Sequence, residues 1–196
     1  MITNVKFAKV KPDAKIPDKR DEDMGFDIYA CFEEDYIRIL PHETKLIPTG
    51  IASSCDPEYG FVLRERGSTG SKGIALRAGV IDSGYRSEWF VGITNTNDMK
   101  NLFITKLSVE DTINKFADDW VNESHPVNKA TENALRKEAM TYFARSDYDI
   151  FYPYSKAIAQ ALVIPVPQVT IEEISYKELQ VIPSERGLGA LGSSNK

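Results

Sequence analysis

The sequence predicts an all-β domain, built as a sandwich or a barrel, that a helical hairpin interrupts. The first hundred residues contain short segments rich in β-branched and aromatic residues, several of which alternate apolar with polar positions. Glycine, proline, aspartate and serine separate these segments at intervals of roughly ten residues, which is typical of such folds. Helical periodicity is confined to the stretch between about residues 97 and 150. A parallel α/β fold is disfavoured because no helical crossovers separate the first strands.

The predicted strands follow one another along the chain in two groups. Six precede the helical stretch and three follow it. In chain order the segments are VKFAKV, FDIYACF, YIRIL, TKLIPTGIA, YGFVLRE and EWFVGITN, then DIFYPY, IAQALVIPV and VTIEEISY.

Two helices are predicted between these groups. Ser108 and Asp111 have the spacing of a capping box at the start of the first helix, and His125-Pro126 interrupts the helical pattern. The second helix fits about residues 131–145. The predicted inner faces comprise Val109, Ile113, Phe116, Ala117 and Trp120 in the first helix, and Leu135, Ala139, Tyr142 and Phe143 in the second.

Length, composition and charge limit the class of protein. A chain of 196 residues with 42% hydrophobic residues is expected to form one domain with a real core, with or without an appendage. A net charge of −5 argues against binding along a nucleic-acid backbone, which needs a positive field. No stretch resembles a signal peptide or a membrane span, so we expect no membrane partner and a cytoplasmic location.

The cysteines and histidines do not form a metal site by their spacing. Cys31 and Cys55 match no metal-ligand pattern; a disulfide between them stays open, although reduced thiols are expected in the cytosol. His42 and His125 each stand apart from other ligand residues.

Two glycine-rich segments have the composition of phosphate-binding loops. The segment RERGSTGSKG, residues 64–73, places cations and hydroxyls among glycines, which allow backbone N–H groups to approach an anion. The terminal segment SERGLGALGSSNK repeats this composition and is expected to be a flexible tail. The alternatives are a solvated turn for the first segment and a disordered end for the second.

Two further segments place polar groups beside apolar strands. In AGVIDSGYRSEWF, Asp82 has the position of a general base at a strand end, or alternatively caps the turn that follows it. In IAQALV, Gln160 interrupts a buried strand, and its amide needs backbone or ligand partners.

Together these segments resemble the five ordered motifs of the trimeric dUTPase family. MGFDIYA at 24–30 is similar to the first motif, ERGSTGSKG to the second, AGVIDSGYRSE to the third, IAQALV to the fourth and RGLGALGSS to the fifth. The resemblance implies a jelly-roll-like β-barrel, a homotrimer whose active sites lie between subunits, and a tail that closes a neighbouring site. It also implies Mg²⁺-dependent hydrolysis of dUTP to dUMP and pyrophosphate.

The resemblance assigns roles to individual positions. Asp82 would activate the attacking water, Asp27 would hold the magnesium ion through its water shell, and Tyr85 would pack beneath the deoxyribose. Arg86 is expected to be structural. The implied substrate-binding residues are Arg66, Gly67, Ser68, Thr69, Leu76, Gly79, Val80, Ile81, Tyr85, Gln160, Arg186, Leu191, Gly192, Ser193 and Ser194, with the hairpin from Leu76 to Val80 reading the uracil edge.

The chain departs from the family pattern in three motifs. Gly67 follows Arg66 where the family has a serine, so the hydroxyl of that position is missing, and Ser68 and Thr69 are the candidates to replace it. Ser155-Lys156-Ala157 stands where the fourth motif begins Gly-Asp-Arg. Leu191 replaces a phenylalanine that stacks on uracil, which predicts weaker closure by the tail.

The long segment between the third and fourth motifs is the largest departure, and inserts at this place occur in phage members of the family. The predicted organisation is a β-barrel over 1–99 and 149–182, a helical insertion over 100–148, and a tail over 183–196. The insertion either binds a protein partner or is a tolerated surface addition. Rival functions are a dCTP deaminase-like enzyme and a regulator that retains the fold and acts through the insertion.

Overall fold

The computed structural model describes residues 4–145 and 149–184 and divides the chain into two units at Val166 and Pro167. The first unit contains twelve described strands and three described helices. The strands are β1 (Lys6–Lys9), β2 (Phe26–Ile28), β3 (Tyr36–Ile39), β4 (Thr44–Pro48), β5 (Ile51–Ser54), β6 (Tyr59–Arg64), β7 (Ile74–Arg77), β8 (Val80–Ile81), β9 (Phe90–Asn95), β10 (Leu102–Thr105), β11 (Ile150–Pro153) and β12 (Ala159–Pro165). The helices are α1 (Gly67–Gly70), α2 (Val109–Glu123) and α3 (Lys129–Arg145).

The described strands form four small sheets with the orders β1-β5, β11-β10-β3, β2-β12-β6-β8 and β4-β9-β7. All pairs are antiparallel except β10 with β11. The prediction of a strand-rich domain with a helical hairpin is confirmed. Closure of these sheets into one barrel stays a prediction.

The predicted strand TKLIPTGIA is two strands, because the chain turns between them. Pro48 ends β4, and Gly50 adopts φ +67°, a left-handed conformation that favours glycine. A side chain at Gly50 would also collide with Ala14 and Cys31, at 2.8 and 3.0 Å from the added Cβ. The turn therefore depends on this glycine.

The main core lies between the sheets and is rich in aromatic residues. The indole of Trp89 is fully buried and packs edge-on against Phe61 at 4.9 Å between ring centroids, and against Phe7 at 5.7 Å. Cys31 and Cys55 lie in the same core as free thiols, so no disulfide joins them. Burial raises the pKa of the Cys55 thiol, which favours its neutral form.

The two helices connect a pair of parallel strands. Strand β10 leads into α2 and α3, and β11 returns beside β10 with Leu102 opposite Ile150. Parallel neighbours need a long crossover connection, and the helices supply it. Because β10 pairs with β3 as well, the prediction that residues 100–148 are all helical insertion is wrong over Leu102–Thr105.

Helix α2 begins as predicted, but its buried face differs from the predicted one. The Oγ of Ser108 accepts a hydrogen bond from the Asp111 N–H at 3.0 Å. Phe116 is buried, whereas Val109 is 52% exposed and Trp120 is 39% exposed, so the assignment of Trp120 to the core is wrong. The helix turns Thr112, Phe116, Ala117 and Val121 inward, a stripe shifted around the helix from the predicted one.

The helical pair covers one face of β10 through a separate cluster of phenylalanines. Phe103 is fully buried, and its ring lies 5.9 Å from those of Phe116 in α2 and Phe143 in α3. It stacks on Phe151 of β11 at 5.2 Å. Phe103 therefore joins the crossover helices to the sheet.

The second unit contains one described helix, α4 (Tyr176–Val181), and no strand among residues 167–184. The predicted strand VTIEEISY is therefore wrong. Val169 and Ile171 are 73% and 92% exposed, and a strand without a partner or a buried face is not stable. Ser175 and Glu178 form a reciprocal capping box that starts a helix instead. Among the helices of the described residues, none is long and apolar enough to span a membrane.

Replacing Phe103 by alanine should lower the free energy of unfolding by about 3–5 kcal/mol, because the change leaves a cavity between β10 and the helices. Urea unfolding followed by tryptophan fluorescence measures the loss. Val127→Ala is the control: Val127 is 88% exposed, and its truncation should change stability by less than about 0.5 kcal/mol. A similar small change for Phe103→Ala would show that the phenylalanine cluster does not hold the helices.

Candidate active site

The candidate site is built around strand β12, which lies between β2 and β6. Gln160 faces Asp27 of β2 on one side and Arg64 of β6 on the other. Its Nε2 donates to the main-chain oxygen of Glu65 at 2.8 Å. A Cβ on Gly25 would lie 2.9 Å from the Gln160 Oε1 and 3.1 Å from its Cβ, so a larger residue at this position would make the Gln160 side chain shift. The amide thus has the backbone partner expected of a buried glutamine and also borders a cavity.

Asp27 and Arg66, which the sequence assigns to metal and phosphate binding, form an ion pair with each other. The Arg66 Nε lies 3.0 Å from Asp27 Oδ1, and its Nη2 donates to Oδ2 at 3.3 Å. About a third of each side chain is exposed. An ion pair this open to water contributes little to stability, on the order of 1 kcal/mol or less, so both groups can exchange partners.

The two candidate hydroxyls that follow Arg66 have different environments. Thr69 is fully buried, and its Oγ1 both accepts from the Arg66 N–H and donates to the Arg66 oxygen, each at 3.0 Å. Ser68 and Gly67 are exposed and border the cavity. Thr69 therefore shapes the loop, and Ser68 is the hydroxyl that remains open to a ligand.

A cavity of about 670 Å³ brings these residues together. This volume is in the range of small-molecule sites, which run to roughly 300–1,000 Å³. Polar and charged side chains supply most of its wall. The lining residues are Asp18, Lys19, Arg20, Asp23, Met24, Gly25, Asp27, Tyr29, Arg66, Gly67, Ser68 and Gln160.

The loop from Asp18 to Met24 borders the cavity, although the sequence reasoning did not select it. The Asp27 N–H donates to the Asp18 oxygen at 2.9 Å, which ties the loop to β2. Arg20 binds Asp23 with two side-chain hydrogen bonds of 2.9 and 2.8 Å, and this guanidinium lowers the pKa of Asp23 to about 2. The charged run DKRDED before MGFDIYA was the available signal.

The hairpin of the third motif consists of β7 and β8 and joins two sheets. The Gly79 oxygen accepts from the Leu63 N–H at 2.6 Å, while the Leu76 N–H donates to the Glu65 carboxylate at 2.9 Å. A Cβ on Gly79 would lie 2.7 Å from the Leu63 oxygen, so the close approach requires glycine. Ala78 at the bend has φ +51°, an uncommon value for a residue with a side chain.

Asp82, Tyr85 and Arg86 follow the hairpin in a tight turn. The Tyr85 N–H donates to the Asp82 oxygen at 3.1 Å, and the Tyr85 hydroxyl donates to the Glu88 oxygen at 3.0 Å. Asp82 is exposed, and its carboxylate has no partner within residues 4–145 and 149–184. Arg86 donates to the oxygens of Ser83 and Tyr85 in this turn, at 2.5 and 3.2 Å, which agrees with the structural role expected of it.

The structure thus places the predicted residues in two groups. Asp27, Arg66, Gly67, Ser68 and Gln160 share the cavity. The hairpin residues Leu76, Gly79, Val80, Ile81, Asp82 and Tyr85 do not line it, and buried Thr69 does not reach it either. The remaining predictions, Arg186, Leu191, Gly192, Ser193 and Ser194, lie outside the described residues.

The carboxylates of Asp18, Asp23 and Asp27 border the cavity, and Asp23 is paired with Arg20 while Asp27 is paired with Arg66. Within the described ranges, no group of three histidine, cysteine, aspartate or glutamate side chains could enclose a metal. Magnesium binds through few carboxylates when phosphate oxygens and waters complete its octahedron. The carboxylate of Asp27, about a third exposed, fits that mode because it borders an open cavity rather than a closed cage.

Sequence comparison identifies the segment that carries most of these residues. Residues 13–107 match the family model for dUTPase. The chain is therefore similar to dUTPases over this segment, which is just under half of its length. The matched segment includes the cavity loop, the hairpin, Asp82 and Tyr85, and its end at residue 107 includes strand β10.

Curated dUTPases match part of this chain. The deoxyuridine 5′-triphosphate nucleotidohydrolase of Leptospira interrogans is 31% identical over 94 residues, which is 46% of this chain and 64% of that protein. The enzyme of the same name from Neisseria meningitidis is 43% identical over 75 residues, 36% of this chain and 49% of that protein. The matches thus span less than two thirds of these relatives.

Solved dUTPase structures share the fold over nearly the whole chain. A mutant dUTPase of Staphylococcus bacteriophage 80alpha, solved with dUpNHpp, superposes with a TM-score of 0.63 over 97% of this chain and 98% of its own, at 17% identity. The native EIAV dUTPase gives a TM-score of 0.53 over 88% and 98%, at 18% identity. The expected dUTPase fold is confirmed, and phage proteins are among its structural neighbours.

Thr69→Val should lower the free energy of unfolding by about 1–3 kcal/mol, because the part-buried Arg66 N–H loses its acceptor. Ser68→Ala, one position away and exposed, should change it by less than about 0.5 kcal/mol. Parallel urea titrations measure both values. Equal losses in the two variants would contradict the division of roles between these hydroxyls.

Proposed function

We propose that the protein hydrolyses dUTP to dUMP and pyrophosphate in the presence of Mg²⁺. The observation that carries the proposal is the cavity in which Asp27, Arg66, Ser68 and Gln160 converge from three separate segments of a chain similar to dUTPases. The curated relatives are named as deoxyuridine triphosphate nucleotidohydrolases. Cationic, hydroxyl and amide donors around an open cavity suit a triphosphate.

Asp27, Arg66, Ser68 and Gln160 would form the phosphate half of the site. In this half, Asp27 and Arg66 would exchange each other for the metal ion and the phosphates. On substrate binding, Arg66 would turn from Asp27 to a phosphate oxygen, and Asp27 would then hold the magnesium ion through its water shell. Because the pair is one-third exposed, breaking it costs little. Magnesium, when bound, neutralises charge on the phosphates and on the leaving pyrophosphate. Ser68 donates its hydroxyl in place of the serine that the family has at the position of Gly67. Gln160 keeps β6 and β12 aligned beneath the phosphates.

The hairpin from Leu76 to Val80, with Asp82 and Tyr85, would form the hairpin half of the site. This half would recognise the nucleoside and activate water. Backbone groups between Leu76 and Val80 pair with the uracil edge and reject cytosine, whose exocyclic amine would leave buried groups mispaired. The Tyr85 ring, 40% exposed, packs beneath the deoxyribose and leaves no room for a 2′-hydroxyl. The carboxylate of Asp82 takes a proton from the water that attacks the α-phosphorus, and the bond to the β-phosphate oxygen breaks.

A homotrimer would bring the two halves together. The hairpin residues do not line the cavity of their own chain, which supports a site completed by the hairpin of a second copy. The tail residues Arg186, Leu191, Gly192, Ser193 and Ser194 would close over the phosphates and the base, as the family resemblance implies. Partner binding through residues 100–148 stays a prediction, and the exposed Trp120 is the feature of that segment that favours it.

Pyrophosphate release from dUTP, dCTP, dTTP and UTP with Mg²⁺ tests the proposal. We expect efficient turnover of dUTP and far slower turnover of the other three nucleotides. Asp82→Asn should lower kcat for dUTP by about 10²–10⁴-fold, because the amide cannot accept the proton of the attacking water. The control is Asp98→Asn, which changes an exposed carboxylate outside both halves of the site and should retain full activity. The absence of turnover of every nucleotide by the wild type would overturn the proposal.

A further inference from the structure

Glu65 contacts both halves of the candidate site from a single position. It follows the last residue of β6 and precedes Arg66. Its Oε1 accepts from the Leu76 N–H at 2.9 Å, and its main-chain oxygen accepts from the Gln160 Nε2 at 2.8 Å. The side chain is 31% exposed, so the first bond is partly shielded from water. Neither the predicted site nor the proposed mechanism gives this residue a role.

The two arms of the hairpin are held in different ways. The β8 arm pairs with β6 through its backbone, with Val62 opposite Val80 and the Leu63 N–H bonded to the Gly79 oxygen. The β7 arm pairs with β9 along one edge only. The Leu76 N–H points from the other edge, where β7 has no partner strand among the described residues. The Glu65 carboxylate satisfies this otherwise open donor.

The carboxylate is well suited to this bond because it stays ionised. The Leu76 N–H and the N–H of Glu65 itself lower the pKa of the carboxyl, and the positive charges of Arg64 and Arg77 act in the same direction. A carboxylate with a lowered pKa stabilises the fold above the ordinary value near 4.5, and this contribution disappears as the pH falls through the lowered value. At neutral pH the bond is charge-assisted.

We propose that Glu65 is a positioning residue that sets the separation of the hairpin arms and thereby the selectivity for a pyrimidine without a 5-methyl group. The proposal rests on the proposed function, because it assumes that this hairpin receives the base. The Leu76 N–H, being bonded to Glu65, is not offered to the base. The β8 arm keeps its backbone pairing with β6 when the carboxylate is removed, and Asp82 directly follows this arm. Loss of Glu65 should therefore affect base recognition more than the chemical step.

Steady-state kinetics with dUTP and dTTP test whether Glu65 affects base recognition more than the chemical step. In Glu65→Ala, KM for dUTP should rise about fivefold to tenfold, in proportion to one charge-assisted hydrogen bond, while kcat stays within about twofold. The ratio of kcat/KM for dUTP to that for dTTP should fall by a similar factor. Glu65→Gln keeps an acceptor oxygen and should restore most of both values.

Glu43→Ala is the matched control, since the Glu43 Oε2 accepts from the Leu40 N–H at 2.7 Å in the same kind of bond, far from the hairpin in sequence. It should leave KM and the dUTP to dTTP ratio unchanged. A wild-type KM and ratio in Glu65→Ala, with dUTP still hydrolysed, would overturn the positioning role alone. A wild type that hydrolyses no nucleotide would instead overturn the proposed function.

Amide hydrogen exchange on the wild type keeps the inference testable if Glu65→Ala does not fold. The Leu76 amide should be protected at neutral pH and should lose protection as the pH falls through the lowered pKa of the Glu65 carboxyl. Exchange of this amide at the rate of an unbonded loop amide at neutral pH would contradict the proposal. The Leu40 amide provides the internal reference, because it is also bonded to a carboxylate.

Discussion

The register of strand β12 is the constraint on which the site depends. Gln160 is paired with Asp27 on one side and with Arg64 on the other, so one strand aligns the first, second and fourth motifs. Ala159 and Ala161, the flanking residues of β12, are fully buried and point to the core. Because side chains alternate along a strand, a shift by one residue would bury Gln160 and move both alanines to the cavity side. Packing of the core therefore determines which polar groups meet.

The charged groups around the cavity satisfy one another when no substrate is present. Asp27 pairs with Arg66, and Arg20 pairs with Asp23 at the rim. Such partly or fully exposed pairs are weak, and a triphosphate with its metal ion can replace them at small cost. The buried hydrogen bonds of Thr69 and the close approach of Gly25 hold the backbone that carries these groups. A stiff backbone thus presents exchangeable side chains, which is the arrangement a charged substrate requires.

The sequence predicted the parts that depend on local patterns. Alternating segments gave most of the strands, and Ser108 and His125-Pro126 marked real helix boundaries. It missed three strands, β7, β8 and β10. Strand β7 lies in the segment between two motifs, and β8 lies within a motif. Strand β10 is a continuous apolar run without alternation. VTIEEISY was assigned to a strand by composition, although a strand also needs a partner. The ion pair of Asp27 with Arg66 and the bond from Glu65 to Leu76 were not predictable, since both depend on register between distant segments.

A crystal structure with a non-hydrolysable dUTP analogue and Mg²⁺ tests the central claim most directly. We predict that the triphosphate contacts Arg66 and Ser68 in the cavity of one copy, with Asp27 released from Arg66, while uracil lies against the Leu76–Val80 hairpin of a second copy. Asp82 should lie within reach of a water in line with the α-phosphorus. An analogue bound away from this cavity, or an Arg66–Asp27 pair that stays closed beside the bound phosphates, would contradict it.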